Sequence, residues 1–211
     1  MSQRPYGMLA AIFLTAGLAP ILSGLAGCGA TRPNKFYVLE LPEIPASSGP
    51  QYPISLLVGR VTAPHLYRDD RIIYRHPGSE LGTYQTYRWA EPPAEMLENM
   101  LGHALRSTGK YASVQPLRSN AQGRYIVRGR LQEMNEVSTP SLAGRLVIGF
   151  ELYDQETGAA VWSTFYRNDE PVEGKDISGV VAALNRNAQR AVAQAVAGVD
   201  AYFAKNPPEH R

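Results

Sequence analysis

The chain has 211 residues, with 21 Lys and Arg against 19 Asp and Glu, for a formal net charge of +2. So even a balance offers no clustered basic footprint, which excludes nucleic acid as a partner. A single cysteine, Cys28, excludes an intrachain disulfide, so a buried core has to hold the fold.

The chain begins with a short positive start, Arg4, and an apolar stretch over residues 8–26 that ends in small residues. That pattern is a secretory signal peptide. A spanning helix would need about 20 uninterrupted apolar residues, and Gly17, Pro20, Ser23 and Gly24 break this run. The last four residues, Leu25-Ala26-Gly27-Cys28, resemble the bacterial lipobox. By that resemblance the peptide is cut before Cys28, and Cys28 carries a diacylglyceryl thioether and an acylated amino terminus. Two or three acyl chains exceed the marginal hold of one, since each buried CH₂ contributes about 0.8 kcal/mol. The next residue is Gly29 rather than Asp. In enterobacterial lipoproteins Asp there resembles an inner-membrane retention signal, so Gly29 favours the periplasmic face of the outer membrane.

Residues 28–53 are rich in Pro, Ser and Gly and read as the lipidated Cys followed by a flexible tether. One extended piece inside it, residues 36–41, has the pattern of an edge strand. Residues 54–61 (ISLLVGRV) form an apolar run of strand length. Residues 71–75 and 83–90 flank the loop HPGSELG and predict a hairpin. Pro92 and Pro93 then open a helix whose apolar positions are Met96, Leu97, Met100, Leu101, Ala104 and Leu105, with Gly109 at its end. Residues 113–116 are a short strand. Residues 124–137 alternate Tyr125, Val127 and Leu131 against Arg128, Arg130 and Gln132, and Leu146, Ile148, Phe150 and Leu152 alternate in the next strand. The turn DQETGA leads into a last strand over 160–167. Asp176 caps a final helix with an apolar stripe from Ile177 to Phe203, and Pro207 lies beyond it. The order predicts an α+β fold, a mainly antiparallel sheet with two helices packed on one face. The domain organisation is a signal peptide over 1–27, the lipidated Cys and tether over 28–53, a single domain over 54–206, and a tail over 207–211.

The sequence carries no recognisable catalytic signature. There is no G-x-S-x-G, no H-x-x-x-H pair among His65, His76, His103 and His210, and no P-loop or G-x-G-x-x-G. Neither metal nor cofactor is called for, and His103 reads as a structural histidine on the first helix. Asp69 and Asp70, between Arg68 and Arg71, read as a self-compensating charged turn. The aromatic group Tyr84, Tyr87 and Trp89 admits stacking on a sugar or acyl chain. The stronger reading puts Tyr87 and Trp89 on one strand face, with Trp89 packed under the following helix and Arg88 opposite.

The segment YRWAEPPAEMLENMLGHAL, residues 87–105, carries a resemblance. Its Arg88, Trp89, Ala90, Glu91 and Pro92 look like the R-W-[AS]-E-P motif that precedes a leucine-rich helix in the PqiC-like family of ABC-type transport auxiliary lipoproteins. FYVLELP, DRIIYR, RYIVRGRLQEM and TGAAVWSTFY resemble further pieces of that family. The resemblance implies a noncatalytic outer-membrane lipoprotein that serves an MCE-type intermembrane transport system. Its implied partners are an MCE-domain protein with its ABC permease and ATPase, and its implied role is to dock a phospholipid conduit or receive its cargo. Self-association into a homo-oligomer stays open. So do two alternatives, a periplasmic lipoprotein that itself binds lipid or glycan and a structural envelope-assembly lipoprotein.

Overall fold

Alternating apolar residues build the long strands, and one face of each is buried under helices. The computed structural model describes residues 33–43, 51–78, 80–118 and 120–208, which from Pro33 onward belong to one compact unit. Leu25, Ala26, Gly27, Cys28 and Gly29 lie outside the described residues. The elements in order are β1 (Lys35–Tyr37), β2 (Tyr52–Thr62), β3 (Arg71–Arg75), β4 (Leu81–Trp89), α1 (Pro93–Ser107), β5 (Tyr111–Pro116), β6 (Tyr125–Val137), β7 (Ala143–Asp154), β8 (Ala159–Pro171) and α2 (Ile177–Lys205). The fold is α+β, an eight-stranded sheet with both helices against one face. Of the extended piece expected over residues 36–41, only 36 and 37 are strand, within β1 at the sheet edge, and Leu39 beyond it is buried in the core of the compact unit.

By extent the sheet is mainly antiparallel. The β6–β7 and β7–β8 ladders run nearly the whole length of three long strands, and β3–β4 is the expected hairpin. Four shorter ladders are parallel: β1 on β4, β5 on β2, and both β2 and β3 on β6. The strand β6 is therefore shared. Its first half pairs with β2, from Leu56 opposite Tyr125 to Thr62 opposite Arg130. Its last residues pair with β3, from Ile73 opposite Asn135 to Arg75 opposite Val137. Beyond β6 the sheet forks into a β2–β5 branch and a β3–β4–β1 branch.

The helices obey their apolar stripes. In α1 the six predicted apolar positions are all buried, Pro93 stands in the first turn, and Gly109 takes the left-handed conformation (φ 66°) that ends it. In α2 the Asp176 carboxylate accepts the Gly179 N–H at 2.9 Å, the expected cap. Small residues along α2 bring it close to the sheet. A Cβ on Gly144 of β7 would stand 3.0 Å from the Leu184 backbone nitrogen, and one on Gly198 would enter the Trp162 ring. Between these contacts Asn187, wholly buried, donates to the Gly144 and Asn168 carbonyls at 2.6 and 3.1 Å. Its Oδ1 accepts from Tyr166 and Asn168 at 2.8 and 2.7 Å, so the buried amide is satisfied and fixes the helix register on the sheet.

Candidate functional site

The motif residues Arg88 to Pro92 form a corner where four segments meet. Trp89, at the end of β4, is 1% exposed and sits in the core, as the packing reading required. Its backbone N–H donates to the Asp70 carbonyl at 2.6 Å, while the Arg88 guanidinium donates to the Asp70 carboxylate at 2.6 Å. Asp70 is thus held by both its backbone and its side chain. The Ala90 N–H donates to the Tyr37 carbonyl at 2.7 Å, which fastens β1 beside the corner. Pro92 precedes the helix, its carbonyl taking the Glu95 and Met96 N–H groups, and the Met96 sulfur accepts the Leu39 N–H at 3.4 Å. Glu91 is exposed and accepts from the Asn99 amide at 3.3 Å. The five motif residues are brought together, and their work is to turn a strand into a helix.

The Asp69–Asp70 pair is divided between two partners. Asp69 forms an exposed ion pair with Arg71 at 3.4 Å, whereas Asp70 goes to Arg88 and Arg68 donates to the Ala63 carbonyl at 2.7 Å. Glu98, on α1, belongs to no motif in the sequence and stands out only in three dimensions. It is buried, accepts the Val61 N–H of β2 at 3.3 Å and binds Arg118 at 2.7 Å. Between Val58 and Val61 the β2–β6 register shifts, and the Glu98 carboxylate takes one amide at the end of this irregularity.

The expected aromatic group is split. Trp89 leaves it for the core, and Tyr84 and Tyr87 join Tyr37, Tyr74 and His76 in a half-buried cluster near the β1 edge. Ring centroids lie 6.3 Å apart for Tyr37–Tyr87, 5.7 Å for Tyr84–Tyr87, 5.1 Å for Tyr74–Tyr84 and 4.8 Å for Tyr74–His76. Strict alternation would put Tyr84 and Tyr87 on opposite faces. They meet because the β3–β4 register slips between Arg71 opposite Arg88 and Ile73 opposite Thr83. The Tyr84 hydroxyl donates to Glu136 at 2.6 Å. Burial, reinforced by that bond and the Glu136 charge, pushes its phenol above the ordinary value and keeps it neutral.

Other polar clusters are ion pairs and hydrogen bonds that join elements. Arg124 grips Asp154 with two bonds at 2.9 and 2.6 Å. Lys110 and Tyr111 meet Asp200, tying β5 to the last turns of α2. Glu170 binds Arg186 and Arg190. Ser107 lies 3.4 Å from the His103 ring, but its hydroxyl donates to the His103 carbonyl at 3.0 Å. Among the described residues no group of three or more His, Cys, Asp or Glu is arranged to hold a metal ion.

The family model described as ABC-type transport auxiliary lipoprotein component matches residues 37–197. The chain belongs to this family. The match starts at the last residue of β1 and takes in β2 to β8, the motif corner, α1 and most of α2. The fold is also that of the crystal structure of protein XCC0632 from Xanthomonas campestris, at 22% identity and TM-score 0.74 over 82% of this chain and 98% of that one. A further solved structure of an uncharacterized protein aligns at 16% identity and TM-score 0.63, over 80% of this chain and 99% of the other. Comparison with curated proteins returns no match. As a family member, the chain is a lipid-anchored cell-envelope lipoprotein and an auxiliary component of an ABC-type transport complex.

Proposed function

We propose that this lipoprotein is the noncatalytic outer-membrane subunit of an MCE-type system that carries phospholipids between membranes. Residues 1–27 act as the signal peptide, and Cys28 is lipidated within the lipobox Leu25-Ala26-Gly27-Cys28. Gly29 sorts the protein to the periplasmic face of the outer membrane. The residues between Cys28 and the compact unit that starts at Pro33 link the anchor to the folded domain, which docks the periplasmic conduit or receives its cargo. The family match over residues 37–197 carries this reading. The motif corner supports it, because Arg88, Trp89, Ala90 and Pro92 are committed to structure and not to a reacting centre.

The test is purification of the full-length lipoprotein from crosslinked membranes of its own cells. An MCE-domain protein, with its permease and ATPase, is expected in the complex, and deletion of the lipoprotein is expected to reproduce the envelope defects of deleting the transporter. Crosslinked membranes with no MCE protein attached would sink the proposal.

A further inference from the structure

The sheet face turned away from α1 and α2 presents every second residue of β2, β6, β7 and β8. On it Arg60 and Thr62 of β2 stand beside Arg128 and Arg130 of β6, with Thr62 opposite Arg130 and Glu151 opposite Arg128. These residues line an open groove of about 760 Å³. Arg128 is compensated, since it pairs with Glu151 and its guanidinium lies 4.5 Å from the centre of the Tyr153 ring. Among the described residues no carboxylate pairs with Arg60 or Arg130, and like charges on neighbouring strands repel, so these two arginines are poised to take an anionic group.

The middle of the groove lacks a side chain. Gly149 of β7 pairs with Phe165 of β8, and a Cβ on Gly149 would meet nothing nearer than the Thr164 carbonyl oxygen at 3.7 Å and the Phe165 ring at 3.9 Å. Phe165 walls this gap on one side yet stays 56% exposed. The result is a recess with an apolar wall and guanidinium groups around it.

We propose that this groove docks an extended acidic segment of a partner protein, its carboxylates on Arg60 and Arg130 and an apolar side chain seated over Gly149 against Phe165. Guanidinium forks match carboxylates in two-point geometry. An extended peptide alternates its side chains with the same period of two as the sheet beneath it, so acidic and apolar positions fall in separate rows. The groove has the size of a site for a drug-sized ligand, which suits several residues rather than a single inorganic anion. A bilayer is the weaker occupant. Membrane-binding faces protrude and carry several large apolar side chains, whereas here a single ring borders a recess. The inference rests on the proposed function only for the owner of the segment, a subunit of the transporter.

The test uses the full-length lipoprotein in an uncharged detergent and a fluorescent octapeptide of alternating Glu and Val, read by anisotropy. Saturable binding is expected, weakening as salt rises. Arg60→Gln and Arg130→Gln should each weaken it about tenfold, the loss of one charge-assisted contact. Gly149→Glu should abolish binding while the protein melts as the parent does, because its Cβ has room. Equal binding of a Lys–Val octapeptide, unchanged affinity in the arginine variants, displacement by inorganic phosphate, or preference for phosphatidylglycerol vesicles would each overturn it. Peptide binding without a co-purifying transporter subunit sinks the proposed function and leaves the groove standing. A co-purifying transporter with no peptide binding does the reverse.

Discussion

Trp89 shows how one residue gives the motif its meaning. A tryptophan with 1% exposure, at the last position of a strand, anchors the turn into α1 by packing and not by contact with a ligand. Trp89→Ala should therefore cost roughly 3–5 kcal/mol, read as a lower midpoint in urea unfolding, and normal stability in this variant would remove the packing account. Asp154 couples the fold to pH. The paired bonds from Arg124 hold its carboxyl below the ordinary range, helped by the Glu156 N–H and against the opposing effect of burial. A carboxylate with a depressed folded pKa stabilises the fold above its unfolded pKa, about 3.9, and that contribution fades as pH falls through the folded value. Asp154→Asn should lower stability at neutral pH and flatten its fall below about pH 4, followed by chemical unfolding across an acid series.

At the scale of elements, the docking of α2 is the most exacting contact. The helix comes so near β7 that a Cβ on Gly144 would stand 3.0 Å from the Leu184 backbone nitrogen, so any side chain there has to displace the helix. Beside it Asn187 spends its whole amide on β7 and β8. Gly144→Val has to push the helix away and pull Asn187 off its partners. The expected loss is about 3 kcal/mol, measured as a drop in thermal midpoint. Gly149, on the same strand but the opposite face, should tolerate substitution because its Cβ meets only ordinary contacts. Two glycines five residues apart thus separate helix packing from groove shape.

For the whole molecule, anchor and domain are expected to be separable. The compact unit takes in residues from Pro33 onward, and its core draws on Leu39 and residues beyond it. Cys28→Ala should leave thermal melting unchanged while the protein moves from the membrane to the soluble fraction on cell fractionation. Persistence in the membrane would remove lipidation as its means of attachment. At this scale the two sheet faces divide the labour. One is sealed by helices, and the other carries the arginine groove opposite them.

Local pattern sufficed wherever structure depends on near neighbours. The stripe of α1, the Asp176 cap, the Gly109 stop, the β3–β4 hairpin and the long alternating strands were all legible, because turns, caps and side-chain periods are decided within a few residues. The segment around Trp89 was legible too, as a strand entering a proline-led helix. The sharing of β6 between β2 and β3 was not, nor was the parallel sense of those ladders. The slip in β4 that gathers four tyrosines was equally hidden, as was the meeting of Arg60 with Arg130. Each depends on the register between segments far apart in the chain, and register is set by how distant apolar faces fit together. Local residue patterns specify the elements, their order and their buried sides. Which polar residues share the exposed face is settled in three dimensions, because a pairing partner as distant as Arg130 is from Thr62 leaves no local trace.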